Sequence, residues 1–101
     1  MKLRYNIEFS PDAEDHLRAL TARNRVIVLD SVDKQLSYQA TVETKHRKLM
    51  RPNLLAPWML RIGNLRVYYD VEEEPQPIVC IIAIGIKERN QVRIGSEVIE
   101  L

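Results

Sequence analysis

The chain has 101 residues, 46% apolar and 29% charged, a composition ordinary for one soluble globular domain. The formal net charge of +1 says little about partners, and the single cysteine, Cys80, excludes an internal disulfide or a cysteine metal cluster. With no signal-like N-terminus and no apolar run of membrane-spanning length, one cytoplasmic domain over residues 1–101 is expected, with no metal and no cofactor.

Leu3, Tyr5, Ile7 and Phe9 alternate with polar residues, the period of a half-buried strand. Ser10-Pro11-Asp12 follows: an N-cap, a proline suited to the first helical position, and an acid at the positive helix start. Ala13, Leu17 and Leu20 then fall on one helical face. Asn24 is the expected cap of a second helix, with Val28, Leu29, Val32 and Leu36 as its apolar stripe. Residues 40–57 have no clear period and read as a basic connection with a short extended piece around Lys48 to Met50. Trp58 to Ile62 and Leu65 to Val71 flank Gly63-Asn64, a two-residue hairpin signal of the glycine-first type. The run Glu72 to Pro77 is the next turn, and Ile78 to Ile86 is apolar as in a central strand covered on both faces. The tail Arg93 to Leu101 is amphipathic and fits either period. The fold class is α+β, with two N-terminal helices packed on a small, mainly antiparallel sheet.

Charge is unevenly distributed. Between Lys45 and Arg66 stand Lys45, Arg47, Lys48, Arg51, Arg61 and Arg66, and no Asp or Glu interrupts them. A turn at Gly63-Asn64 puts Arg61 opposite Arg66, Leu60 opposite Val67 and Met59 opposite Tyr68. One face of the hairpin is then Trp58, Leu60, Ile62, Leu65, Val67 and Tyr69; the other is Met59, Arg61, Arg66, Tyr68 and Asp70. Two opposed arginines disfavour pairing, by roughly a few tenths of a kcal/mol up to ~1. A shared anion reverses that sign, and guanidinium forks suit phosphate. Tyr68 beside Arg66 offers a face on which a base can stack.

The stretch from Trp58 to Tyr69, Trp-Met-Leu-Arg-Ile-Gly-Asn-Leu-Arg-Val-Tyr-Tyr, resembles the central hairpin of RelE/ParE superfamily toxins, and Ile84-Gly85-Ile86-Lys87-Glu88-Arg89 resembles the end of their last long strand. The order of strand, two helices and meander matches as well. RelE-like members cleave mRNA in the ribosomal A site without a metal, by attack of a 2′-hydroxyl on the adjacent phosphate, and thereby inhibit translation. ParE-like members inhibit DNA gyrase. The resemblance implies a cognate antitoxin as partner, with ribosome and mRNA as targets. It implies contact with DNA only through the antitoxin complex, and none with a membrane. An inactive homologue that retains only antitoxin binding is a third reading.

Carried over on this resemblance, Arg66 takes the place of the arginine that stabilises the transition state, Arg61 that of a basic residue on the preceding strand, and Lys87 that of a further cation. With Lys45 and Lys48 from the basic segment and Tyr68 from the hairpin face, Arg89 and Arg93 complete the expected substrate-binding residues. Met59 stands where the best-known nuclease members have a second lysine, and Arg93 near where they have a stacking tyrosine. Arginine does not release its proton in proteins. Proton transfer is therefore left to Lys87, Lys45, Lys48, His46 or a tyrosine. His46 in its basic loop reads as solvated, and His16 on the first helix as structural or exposed. No glycine-rich phosphate loop, Ser-His-Asp pattern or metal-ligand spacing occurs.

Overall fold

The computed structural model describes residues 3–95 and 97–100. Its elements run β1 (Asn6–Phe9), α1 (Pro11–Ala19), α2 (Ala22–Leu36), β2 (Arg47–Leu49), β3 (Trp58–Ile62), β4 (Leu65–Glu72), β5 (Ile78–Glu88), β6 (Gln91–Ile94) and β7 (Glu97–Glu100).

Ser10 starts α1 as expected: its Oγ accepts from Ala13 N at 3.1 Å, with Pro11 in the first turn. The same hydroxyl donates to the Ile82 carbonyl at 3.0 Å, which joins the helix start to the middle of β5. The second cap is Thr21, not Asn24; Thr21 Oγ1 accepts from the Asn24 N–H, so Asn24 is the third helical residue. Arg25 closes the helical hairpin by donating to the carbonyls of Leu17, Arg18 and Leu20, a cation at the negative end of α1. Val28, Val32 and Leu36 are buried at a spacing of four, whereas Leu29 is 43% exposed and Ile27 packs on the core in its place.

The strands form one sheet in the order β2-β3-β4-β5-β6-β7, antiparallel throughout, and β1 adds to β5 in parallel. β1 and β6 share one edge of β5: β1 covers Ile78 to Ile81, and β6 covers Gly85 to Glu88. Groups from α1 fill the gap between them. Ser10 N donates to Ile81 O and Ser10 Oγ to Ile82 O, and Ile84 N donates to His16 Nδ1 at 3.2 Å. His16 is thus a structural acceptor, as expected. Ser10→Ala removes a cap and orphans the Ile82 carbonyl at once. It should destabilise the protein by roughly 1–3 kcal/mol in urea denaturation, above the ~1 kcal/mol of an ordinary cap; a cost near zero contradicts this account.

Leu60, Leu65, Val67, Tyr69, Val79, Ile81 and Ile84 meet the helices in one core. Trp58 stacks on Tyr69 with ring centroids 6.0 Å apart, and the Tyr69 hydroxyl donates to Ala40 O at 2.6 Å. The tail, whose period the sequence leaves open, belongs to two strands, β6 and β7. These strands and the loop before β3 contribute side chains on the face away from the helices. A second apolar cluster lies there: Ala56, Tyr68, Ala83, Val92 and Ile94, with Met50 and Met59 against it.

Candidate functional site

The β3–β4 register is the one the turn implies. Ile62 pairs with Leu65, Arg61 with Arg66, Leu60 with Val67, Met59 with Tyr68 and Trp58 with Tyr69. Gly63 carries a φ of 59°, the left-handed conformation that this first turn position needs. Arg61 and Arg66 therefore lie side by side on the face away from the helices. On the next strand Arg66 is paired with Gly85, and Lys87 follows two residues on, on the same face. Two backbone hydrogen bonds fix the frame: Lys87 N donates to Asn64 O at 2.7 Å, and Arg61 N to His46 O at 2.7 Å. β2 contributes Lys48, which faces Met59 across the pair.

These residues surround a cavity of about 800 Å³. Lys48, Arg51, Arg61, Arg66 and Lys87 line it together with Met59, Tyr68 and Asn90, and no carboxylate among the described residues lines it. Its outer rim is the loop between β2 and β3, shaped by Asn53. That side chain donates to Arg51 O and Ala56 O, and accepts from Leu55 N and Ala56 N. Both the acceptor and donor ends of the amide are used, so the rim has a specified shape rather than an arbitrary one.

Arg66 is the buried member of the group, 6% exposed. Its Nη1 donates to Gly63 O at 2.7 Å and Leu65 O at 2.9 Å, which holds the guanidinium against the turn. Burial, and then repulsion from Arg61, lower its pKa from the ordinary arginine value. Each of these causes is relieved by a bound anion, which neutralises charge where water is scarce.

Arg61, Arg66 and Lys87 are brought together, with Lys48 beside them. Arg51, Asn53 and Asn90 join them; of these, only Arg51 was among the basic residues that signalled the site. Lys45 is exposed ahead of β2 and does not line the cavity, and exposed Arg89 sits in the β5–β6 turn beside Asn90. Two expectations are corrected. Arg93 pairs with Ile86, whose side chain packs on the helix-side core, so Arg93 points to the opposite face, where it forms an ion pair with Glu88. Tyr68 lies in the cavity wall but is wholly buried and presents no ring face for stacking.

Arg47 also leaves the basic group. It pairs with core residue Leu60, is 4% exposed, and donates to Val42 O, Gln35 and Gln39, which ties β2 to the end of α2. His46 is exposed. No group of three His, Cys, Asp or Glu residues suited to a metal occurs among the described residues, and none of their helices is long and apolar enough to cross a membrane.

No protein-family model matches the chain, and no curated protein matches it. The architecture defines a class: an α+β protein with both helices on one face of a mostly antiparallel sheet and a cationic cavity on the other. Among solved structures it is similar to a chain of the toxin–antitoxin complex RelBE2 from Mycobacterium tuberculosis, with a TM-score of 0.72 and 22% identity over 84% of this chain and 93% of that one. The α+β fold, two helices on a mostly antiparallel sheet, is therefore shared with that chain, in line with the architecture the resemblance implied.

Proposed function

We propose that this protein is the toxin of a toxin–antitoxin pair and acts as a metal-independent, ribosome-dependent mRNA endoribonuclease. The observation that carries the reading is the cavity itself: five cationic side chains line it with no carboxylate among them, and two of them are directly opposed arginines. Such an arrangement costs stability without an anion and suits a phosphodiester with one. The fold of the RelBE2 chain supports the toxin role and an antitoxin partner.

In this reading Arg61 and Arg66 hold the scissile phosphate and stabilise the charge that develops on it as the 2′-hydroxyl attacks. Lys87, next to them, is the proton-transfer group. Lys48 and Arg51 at the β2 side receive the adjoining backbone. The bond from phosphorus to the 5′-oxygen breaks, leaving a 2′,3′-cyclic phosphate and a 5′-hydroxyl. An antitoxin segment that covers the cavity must bring the acidic groups the cavity lacks, so silencing and substrate binding are mutually exclusive.

The test is cleavage of mRNA on purified ribosomes stalled at a defined codon, run beside gyrase supercoiling. Cleavage at the A-site codon, abolished by a 2′-deoxy nucleotide there, is expected. Inhibition of supercoiling without cleavage overturns the enzyme reading in favour of a ParE-like one. Arg61 is exposed and free to be truncated with little structural cost. Arg61→Ala should weaken single-stranded RNA binding and reduce the slope of log affinity against log salt by about 0.7, the loss of one phosphate contact. An unchanged slope removes Arg61 from the interface.

A further inference from the structure

Tyr68 combines two facts that conflict in a residue chosen for packing alone. Its side chain is fully buried, in the apolar cluster of Ala56, Ala83, Val92 and Ile94, and its hydroxyl has no hydrogen-bond partner among the described residues. Phenylalanine fills the same space without stranding a donor, because a buried hydroxyl left unpaired forfeits the hydrogen bonds it makes in water. Tyrosine is therefore the less stable choice in the unliganded protein. Its position accounts for it. Tyr68 follows Arg66 by two residues on the same face of β4 and stands in the wall of the cationic cavity.

We propose that the Tyr68 hydroxyl is a binding group of this cavity, donating a hydrogen bond to a non-bridging oxygen of the RNA phosphate held by Arg61 and Arg66. The inference rests on the RNA-binding reading above and adds a neutral donor to what is otherwise a set of cations. Met59, paired with Tyr68 across the strands, and Met50 both pack on the apolar cluster and line the cavity. Their unbranched thioether side chains rearrange at low cost, so a small swing uncovers the hydroxyl as the ligand seats. Burial pushes the Tyr68 pKa up to about 12, against the opposing effect of Arg66. The group therefore keeps its proton at neutral pH and serves as a donor, not as a base.

The test uses the full chain, Tyr68→Phe, and a short single-stranded RNA with 2′-O-methyl riboses, which cannot be cleaved by its own 2′-hydroxyl. The expected result is a split. The melting temperature rises by roughly 5 °C as the orphan hydroxyl is removed. Affinity for the oligonucleotide falls by about tenfold or more, the loss of a hydrogen bond to a charged acceptor. The salt slope stays at the wild-type value, since no cation is lost.

Unchanged affinity in Tyr68→Phe, with Arg61→Ala still weakening binding, overturns the role of the hydroxyl and leaves the cavity reading standing. A lower melting temperature identifies a structural hydrogen bond and also overturns the proposal. A wild-type protein that binds the oligonucleotide neither free nor in the A site of a stalled ribosome overturns the RNA reading itself, and this inference with it.

Discussion

Arg66→Ala should slow mRNA cleavage on programmed ribosomes by about 10²–10³, equivalent to roughly 3–4 kcal/mol of barrier. A cation placed where charge develops is worth more in the transition state than in the ground state, so the loss should fall on kcat more than on binding. The hairpin pattern alone marks Arg66 as a side chain removable without structural effect. The structure revises this: the guanidinium is 6% exposed and donates to the Gly63 and Leu65 carbonyls of the turn. Truncation removes both bonds and should also cost about 1–2 kcal/mol of stability. Rates therefore belong at a temperature where both proteins are fully folded, with the folded fraction measured by urea titration.

A second readout separates the two effects. Arg66 carries its charge against burial and against Arg61. An anion in the cavity relieves that cost and stabilises the native state by mass action. The uncleavable RNA should raise the melting temperature of the wild type and raise that of Arg66→Ala much less. Arg66→Lys keeps the charge but loses the planar fork, and should recover binding better than rate. Full activity in Arg66→Ala removes this residue from the chemistry.

How far the sequence is legible depends on where its local signals survive. Gly63 announces its turn because only glycine takes a φ of 59° there without cost, and strict alternation on either side then settles which residues face the helices. The next turn has the same kind of backbone but hides it. Arg89, with a φ of 57°, stands in the position where glycine would signal a hairpin between β5 and β6. Without that signal the tail reads as an amphipathic segment of either period. β6 and β7 go unseen, and Arg93 is placed with the cations rather than on the opposite face.

Tyr68 is misread for the same reason, since part of what buries it comes from β6, through Val92 and Ile94. Arg47 shows a different limit. Counted along the chain it belongs to a basic run, yet its pairing with Leu60 sends it into the core side, a fact of register that composition does not carry. Lys48, one residue on, faces the cavity for the same reason.

Gly85→Ala should be the most destabilising of the glycine substitutions, by roughly 2–3 kcal/mol, through overpacking rather than backbone strain. Gly85 lies between Arg66 on β4 and Ile94 on β6. A Cβ there would stand 2.6 Å from Val92 Cγ1, 2.8 Å from Ile94 Cγ1 and 2.9 Å from the Arg93 carbonyl oxygen. The two side-chain atoms can move by rotation, but the carbonyl belongs to the strand, so β6 itself must shift. For a chain of this size the loss corresponds to a fall in melting temperature on the order of 10–20 °C. Gly63 is the control: nothing lies within 4 Å of a Cβ there, and only its φ of 59° opposes a side chain. Gly63→Ala should therefore cost only about 1 kcal/mol. The consequence for the site follows from the same geometry. Val92 and Asn90, at the β5–β6 hairpin, line the cavity beside Lys87, so a displaced β6 reshapes the wall next to the proposed proton-transfer group. Urea denaturation of both variants decides the matter. If Gly85→Ala is no less stable than Gly63→Ala, close packing of β6 against β5 is not what keeps position 85 free of a side chain.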